Sequence, residues 1–491
     1  MKGESSSLNR QGEQAQTKLS LRQPGAILLV SCYELGHQPI GIAQPAGFLE
    51  QAGYEPAAVD IAVEEFDEQQ VRRARFVGIS VPMHTALRLG VRVAELIRKS
   101  NPSCHLCFYG LYASLNTDYL LDRVADSVIG GEYETPLVNL VQSLEHGRVI
   151  GAIEGVSHLV PSRSLLPGLD KYAHLERNGD QYLVGYVEAS RGCLHHCLHC
   201  PIVPVYKGRY FLFPKEAILE DIRRQVQVGA THITFGDPDF LNGPGHSMNI
   251  VRTMHTEFPH LTFDFTAKIE HLLKHRALFP ELGALGCLFV ISAVESFSDL
   301  VLEKLEKGHT RADVITALDV VRSAGITLRP SFVAFTPWTS LEDYLELFDL
   351  VEANDLIDAI DPVQYSVRLL IPPGSALLAQ SGIHRFLGML DQTGFQHQWS
   401  HPDERMDRLH RMISEAVEQA SLTGEDPAIT FDRLRALAYR VADRQPVVAG
   451  SSTSRSPERH RPPRLTEPWF CCAEPTAGQF RPLQTKGHEE I

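Results

Sequence analysis

The sequence predicts an α/β protein with two parallel-sheet domains in series. A Rossmann-like, doubly wound N-terminal domain precedes a partial (β/α)6 barrel of the TIM type, a helical C-terminal region and a flexible tail. Short apolar runs alternate with amphipathic, helix-length segments from about residue 26 to residue 370. A segment with Gly, Pro and Ser divides this alternation into two sets, and 491 residues exceed what one core usually holds together.

Changes in composition along the chain indicate where its domains begin and end. The first 22 residues are rich in Ser, Gln and Glu without periodicity, and a Ser- and Pro-rich stretch near residue 450 is typical of a linker. We therefore expect a disordered lead (1–22), the Rossmann-like domain (23–145), a connector (146–184), the partial barrel (185–375), a helical subdomain (376–448), a linker (449–466) and a tail (467–491).

In the N-terminal domain, buried strands are expected near Ala26–Ser31, Ala57–Asp60, Phe76–Ser80, Leu106–Gly110 and Ser127–Gly130. Helices alternate with them, so the sheet should be parallel. Four residues end predicted strands, at the edge where such sheets bind ligands: Asp60, Ser80, Gly110 and Gly130.

The barrel region contains six predicted strands in about 200 residues. That length is short for eight units, so an open partial barrel fits better. The expected strands are Tyr182–Glu188, His232–Gly236, Thr262–Lys268, Leu288–Ser292, Thr327–Phe335 and Val363–Leu370. Residues 375–448 look mostly helical and amphipathic.

Charge and hydropathy exclude several classes of protein. The formal net charge is −14 and the pI is about 5.9, which argues against a nucleic-acid partner. The chain has no run of 18 apolar residues and no apolar stretch near its start, so we expect neither a membrane span nor a signal peptide. A cytoplasmic location is expected, with nine cysteines mostly reduced.

Three cysteines stand close together in the spacing Cys-x3-Cys-x2-Cys: Cys193, Cys197 and Cys200. From the residues alone, three interpretations remain open. The thiols could be buried without a ligand, or they could hold structural zinc with a neighbouring histidine as fourth ligand. They could also bind a [4Fe–4S] cluster and leave one iron without a protein ligand. A second pair, Cys104 and Cys107, lies in a predicted strand and is expected to pack in the core.

With Gly192 before it and Pro201 after it, the cysteine loop resembles that of the radical S-adenosylmethionine superfamily. The resemblance implies a [4Fe–4S] cluster on the three cysteines and S-adenosylmethionine on the open iron. It also implies an external one-electron donor of the flavodoxin or ferredoxin type. Reductive cleavage of S-adenosylmethionine would then give a 5′-deoxyadenosyl radical that abstracts hydrogen from a substrate, which the sequence does not identify.

Further segments resemble the superfamily's cofactor-binding motifs in the same order. Phe235–Pro238 stands at the Gly-Gly-Glu motif, Ser292–Ser296 at the Gly-x-Glu-Ser segment, and Leu369–Ser375 at the Pro-Gly-Thr corner. The residues that the resemblance assigns to cofactor binding are His199, Gly236, Asp237, Ser292, Glu295 and Pro373. Four charged residues near predicted barrel strands are further candidates for cofactor or substrate contact: Lys268, Glu270, Arg329 and Arg368, of which Arg329 is placed with the cofactor site.

The N-terminal domain resembles the cobalamin-binding domain of many radical enzymes through Gly78–Ser80, Phe108–Tyr112 and Val128–Glu134. The Asp-x-His-x2-Gly motif that supplies a cobalt ligand elsewhere is absent from the sequence, so cobalamin binding stays open.

The C-terminal Cys-Cys-Ala-Glu-Pro resembles the CUAEP/CCAEP-tail family of radical (seleno)proteins, with Cys472 at the selenocysteine position. Cys471 and Cys472 are therefore expected to act as a redox pair, a nucleophile or a ligand. The leading hypothesis is a radical enzyme whose Cys pair handles redox chemistry or substrate. The alternatives are a cobalamin-dependent radical methyltransferase and a non-catalytic metal-binding protein.

Overall fold

The computed structural model describes residues 20–146, 159–445, 459 and 461–467. The N-terminal unit is a five-stranded parallel sheet in the order β2-β1-β3-β4-β5. Strands β1 and β3 are buried along their whole length, because helices cover both faces of the sheet. The elements are β1 (Ile27–Ser31), α1 (Ile40–Gln51), β2 (Ala57–Asp60), α2 (Glu68–Arg73), β3 (Phe76–Ser80), α3 (His84–Ser100), β4 (His105–Tyr109), α4 (Leu111–Leu115), α5 (Thr117–Arg123), β5 (Ser127–Ile129) and α6 (Glu134–His146).

The doubly wound N-terminal sheet is therefore confirmed, with one change at its start. The disordered lead predicted through residue 22 ends earlier, because Leu21 is 1% exposed and packs with the core that includes Ile27 and Phe48.

The second unit is a curled half-barrel sheet in the order β13-β12-β11-β10-β7-β6-β16. The five strands from β13 to β7 in this order are parallel, and β6 and β16 add antiparallel strands at the edge beside β7. The elements are β6 (His174–Arg177), β7 (Asp180–Val187), β8 (Ser190–Gly192), α7 (Ile202–Tyr206), β9 (Tyr210–Leu212), α8 (Lys215–Gln227), β10 (His232–Phe235), α9 (Pro244–Glu257), β11 (Thr262–Thr266), α10 (Ile269–Lys274), α11 (Phe279–Ala284), β12 (Cys287–Glu295), α12 (Asp299–Lys304), α13 (Arg311–Ser323), β13 (Thr327–Phe332) and α14 (Leu341–Ala353).

The sixth barrel strand is much shorter than predicted. Only one parallel bridge, between Phe335 and Arg368, represents the expected strand Val363–Leu370. The chain at Pro362–Tyr365 forms a 3₁₀ turn instead, and only the following residues align with the barrel. The partial barrel is confirmed as an architecture, with its last strand reduced to a single bridge.

The connector and the linker both contribute strands that the sequence did not predict. Strand β6 lies inside the expected connector and pairs with β7. Residues 461–467, which we call the strap, lie at the end of the expected linker and contain β16 (Arg464–Leu465). Backbone pairing with β6 explains this difference, since a polar segment gains partners when it joins an open sheet edge.

The region after the barrel is helical only in part. A hairpin of β14 (Leu387–Asp391) and β15 (Gln396–Trp399) precedes α15 (Glu404–Thr423) and α16 (Pro427–Val441). The two helices agree with the expected helical region, and the hairpin is an addition to it, with its turn held by Asp391, which accepts from Gly394 N. None of the helices in the described ranges is long and apolar enough to cross a membrane.

Candidate functional site

A cavity of about 350 Å³ lies where the carboxyl ends of the two sheets face each other. The N-terminal unit, the barrel strands and the strap all contribute to its wall, as expected for a ligand site in an α/β protein. Its lining includes Ser80, Gly110, Gly131, Tyr133, Cys193, Cys197, Cys200, Gly236, Asp237, Lys268, Glu295, Lys307, Ser331 and Leu465.

The cysteine loop leaves β8 and enters α7 with all three predicted cysteines on the cavity wall. Gly192 has a φ of 86°, and a Cβ there would lie 2.5 Å from the carbonyl oxygen of Arg209. Burial raises the pKa of the Cys193 thiol to about 11, so a bound cation is needed to hold it as thiolate at neutral pH. Three thiols on one short loop, none of them in a disulfide, fit a cluster with one iron left open.

Next to the cysteines lies a buried ionic triad. The Lys307 ammonium donates to Glu295 Oε1 at 3.1 Å, and His199 Nε2 lies 3.1 Å from the same oxygen. Burial alone would raise the pKa of Glu295, but Lys307 and His199 lower it to about 2. Glu295 itself has a φ of 65°, so its backbone is held in an unfavourable region to point the carboxylate inward.

Strand β10 ends in the predicted Gly236–Asp237 pair. A Cβ at Gly236 would lie 1.9 Å from the Tyr186 hydroxyl, so only glycine fits without movement. Asp237 accepts from Ala189 N at 2.9 Å and from Ser190 Oγ at 2.5 Å. Burial raises the pKa of Asp237 to about 7, although these two donors oppose the shift.

The structure brings some of the predicted site residues together. His199, Gly236, Asp237, Glu295 and Lys268 all line the cavity. Lys268 Nζ lies 3.2 Å from Glu270 Oε2, which places Glu270 at the rim rather than in the wall.

Four other predicted residues lie outside the cavity wall. Ser292 alternates with Ile291 and Ala293, whose side chains line the cavity, so its own side chain faces the opposite side. Arg329 pairs with Asp361 at 3.0 Å and donates to Pro463 O, and Arg368 pairs with Asp407 and covers the Trp399 ring. Pro373 is not part of the wall.

Sequence reasoning missed two groups at the site. Lys307 follows a charged helix end and reads as a surface residue, so the sequence carries no signal for its burial. Arg191 belongs to the cysteine stretch but matches no motif. Its guanidinium joins Glu134 of the N-terminal unit at 2.9 Å to Glu188 of the barrel at 3.1 Å. It also lies over the Tyr133 ring and so fastens the two units beside the cavity.

Two of the four predicted strand-end residues of the N-terminal sheet line the cavity. Ser80 and Gly110 do so, whereas Asp60 and Gly130 do not. Cys104 and Cys107 are buried in this unit, as expected for core residues. The terminal pair Cys471 and Cys472 lies outside the described residues.

The match to a known family starts at Val187, the last residue of β7, just before the cysteine loop. Residues 187–351 match the family model described as the Radical SAM superfamily. These residues form a radical SAM domain. The match and the relatives below support an enzyme, and a [4Fe–4S] cluster and S-adenosylmethionine are the cofactors that such a domain implies. The alternative of a non-catalytic metal-binding protein gains no support from these matches.

Two proteins are similar in sequence to part of this chain. The hopanoid C-3 methylase of Methylococcus capsulatus is 25% identical over 320 residues, which are 61% of this chain and 62% of the relative. The tRNA-2-methylthio-N(6)-dimethylallyladenosine synthase of Desulfosudis oleivorans is 27% identical over 239 residues, 46% of this chain and 51% of the relative. The chain thus spans less than two thirds of the length of both.

Two solved structures share the fold over most of the chain. The cobalamin-dependent S-adenosylmethionine radical enzyme OxsB with aqua-cobalamin has a TM-score of 0.64 at 16% identity, covering 84% of this chain and 72% of the other. The radical S-adenosylmethionine methyltransferase TsrM of Kitasatospora setae, with cobalamin and a [4Fe–4S] cluster bound, has a TM-score of 0.57 at 15% identity and covers 89% and 93%. The N-terminal unit and the half-barrel therefore form one shared architecture.

Proposed function

We propose that this enzyme cleaves S-adenosylmethionine reductively in the cavity between its two sheets and starts radical chemistry on a substrate held there. The observation that carries the proposal is the composition of the cavity wall. It brings the three cysteines together with Glu295, the last residue of β12, and with the Gly236–Asp237 corner. When bound, the cluster and S-adenosylmethionine supply an electron and a 5′-deoxyadenosyl radical. The protein's part is to hold both, orient the substrate and exclude water.

The chain's own residues divide this work. The three cysteines hold the cluster. Asp237 and Glu295 present carboxylates to the cofactor, and their different surroundings give them different charge at neutral pH. Glu295 is a fixed anion beside Lys307, whereas Asp237 can carry or release a proton near pH 7.

Anaerobic reconstitution tests the proposal. We expect about four iron atoms per chain, and 5′-deoxyadenosine after addition of a reductant and S-adenosylmethionine. Cys197→Ala should lose both, while Cys287→Ala, a buried cysteine of the barrel core, should keep the iron. Zinc in place of iron with no cleavage product would contradict the assignment.

Methyl transfer with cobalamin is the second candidate. It is supported by Ser80 and Gly110, which lie at the carboxyl edge of the N-terminal sheet and line the same cavity as the three cysteines. Leu111 also lines this edge, whereas Leu121 is 48% exposed on α5. We expect Leu111→Trp to lose hydroxocobalamin on gel filtration and Leu121→Trp to retain it. Equal retention by both variants, or none by the parent enzyme, would remove cobalamin from the proposal.

We assign Cys471 and Cys472 to this same cavity as a redox or substrate-handling pair, and the strap supports the assignment. Leu465 lines the cavity, and Tyr33 Oη donates to Glu467 Oε1 at 2.6 Å. Four or five residues of extended chain reach about 13–18 Å beyond Glu467. We propose that this reach brings Cys471 and Cys472 to the mouth of the cavity.

The reach of the tail can be measured directly. In a Cys471→Ser variant, a nitroxide is placed on Cys472, since the other cysteines are buried or belong to the cluster loop. Reduction makes the cluster paramagnetic, which should shorten the spin relaxation time of a nearby nitroxide. Leu465→Pro removes a backbone donor from β16 and should weaken the effect. Relaxation that does not respond to the cluster's redox state would contradict a tail held at the cavity.

The electron donor is proposed to be a small acidic carrier of the flavodoxin or ferredoxin type. It would dock on the outer face of the cysteine loop, where Leu194, Phe211 and Leu212 are each more than 40% exposed. Lys207 and Arg209 are exposed on the same face, and within the described residues neither forms an ion pair. In a chain with a net charge of −14, this local positive charge favours an acidic partner.

A further inference from the structure

Beside the cysteine loop, a second group of metal-binding side chains converges. His195, Asp239 and His271 each offer one ligand atom, and the three atoms lie within 4.8 Å of one another. His195 comes from the cysteine loop, Asp239 from the turn after β10, and His271 from the first turn of α10. Asp239 and His271 are buried and His195 is nearly so.

One of the two distances to the Asp239 carboxylate matches a tetrahedral metal site, and the other is about 0.4 Å shorter than such a site needs. His271 Nδ1 lies 2.9 Å and His195 Nε2 lies 3.4 Å from Asp239 Oδ2. Bonds of about 2.0–2.2 Å to nitrogen and oxygen put neighbouring donors of a tetrahedral site about 3.3–3.5 Å apart. Neither ring nitrogen makes a hydrogen bond of acceptable geometry, so two buried donor atoms point at the same small volume without a partner.

The surroundings also orient the ligands. Asp239 Oδ1 accepts from Leu241 N, and its Oδ2 accepts from Lys268 N, which fixes the carboxylate. Glu270 Oε2 lies 3.6 Å from His195 Nδ1 and can accept the proton of that nitrogen when Nε2 binds a metal. The Lys268 ammonium, 3.3 Å from His195 Nδ1, is neutralised by the same Glu270 carboxylate.

We propose that His195, Asp239 and His271 form a mononuclear site for a divalent transition-metal ion such as Zn²⁺, separate from the cysteine ligands. Two histidines and one carboxylate leave at least one coordination position free. His195 and Asp239 line the cavity, so the free position can take an anionic or thiolate group of a bound substrate. The site would thereby anchor the substrate while the cysteine loop carries the redox chemistry.

The test measures zinc in the cluster-loaded enzyme, by mass spectrometry after incubation with zinc sulfate and gel filtration. We expect about one zinc per chain in addition to the cluster iron. His271→Gln should lose it, and Glu270→Gln should bind about 10–100-fold more weakly. His275→Gln is the matched control, because it removes a neighbouring histidine outside the ligand set, and it should retain the zinc.

X-ray absorption at the zinc edge of the parent enzyme decides the case without any variant. A first shell of nitrogen and oxygen at about 2.0–2.1 Å with imidazole scattering supports the proposal. A sulfur shell at about 2.3 Å would place zinc on the cysteines and overturn it. No retained zinc, or equal retention by His271→Gln, would overturn it as well. None of these results depends on S-adenosylmethionine cleavage, so this site and the proposed activity can fail separately.

Discussion

Replacing Lys307 by Met should destabilise the enzyme strongly, because it removes the ammonium from the buried Glu295 carboxylate and leaves only His199 beside it. Lys307 and Glu295 are 3% and 6% exposed, and the ammonium lies 3.1 Å from the Glu295 carboxylate. A pKa lowered from the ordinary 4.5 to about 2 corresponds to about 3 kcal/mol in favour of the ionised form. Breaking a buried pair from one side costs about 3–5 kcal/mol in general, which agrees with this value.

The expected loss is large enough to see in thermal melts. About 3 kcal/mol lowers the melting temperature of a domain of 150–250 residues by about 6–12 °C. The melts are followed anaerobically on protein of equal iron content at pH 7. Arg252→Met, which breaks an exposed pair with Glu281, is the control and should leave the melting temperature nearly unchanged.

Two further measurements could refute the reasoning. A Lys307→Met, Glu295→Gln double variant should recover part of the loss, because no buried charge is then left alone. The stability that Glu295 contributes is present above pH 4.5 and disappears as the pH falls through 2, so the effect of Lys307→Met should shrink on acidification. A double variant no more stable than the single one, or an effect that grows in acid, would contradict the argument.

Burial raises the pKa of Asp237 in the folded protein to about 7, so the parent enzyme should lose about 1.4 kcal/mol of stability per pH unit between pH 4 and 7. The Asp237→Asn variant should not show this loss of stability. Urea melts at pH 5 and 7 check this, and parallel changes in both proteins would refute it. The pair Lys207→Glu and Arg209→Glu should slow reduction of the cluster by flavodoxin hydroquinone at least tenfold and leave reduction by dithionite unchanged. The matched pair Arg73→Glu and Lys99→Glu, on the N-terminal unit, should change neither rate, and equal slowing by both pairs would argue against the docking face.

The sequence predicts the sheets well where each strand is a continuous apolar run between helices. Strands β1, β3 and β12 are of this kind, and burial on both faces leaves little freedom in their placement. Strand β16 escapes prediction, because its partner β6 lies nearly 290 residues away along the chain and no local pattern carries that information. Strand β6 was also missed, although Asn178–Gly179 forms a two-residue turn that joins it to β7.

The site shows the same division. The cysteines were predicted from their spacing and the Gly236–Asp237 corner from its resemblance to a family motif, and each lies at one turn after one strand. Arg329 illustrates the limit: its strand is correct, yet its guanidinium points to Asp361 and the strap instead of the cavity. Only the neighbouring elements decide which side chains at a strand end face a ligand.

Arg329 also explains how the open side of the half-barrel is covered. The strap pairs with β6 at one edge of the sheet, and Arg329 on β13, at the other edge, donates to Pro463 O at 3.4 Å. Leu465 then packs inside, against Phe289 and Ile291 of the barrel core. A half-barrel of five parallel strands would otherwise leave its interior open to water. The strap therefore forms part of the cavity wall through Leu465, and it closes a side of the half-barrel that the parallel strands alone do not cover.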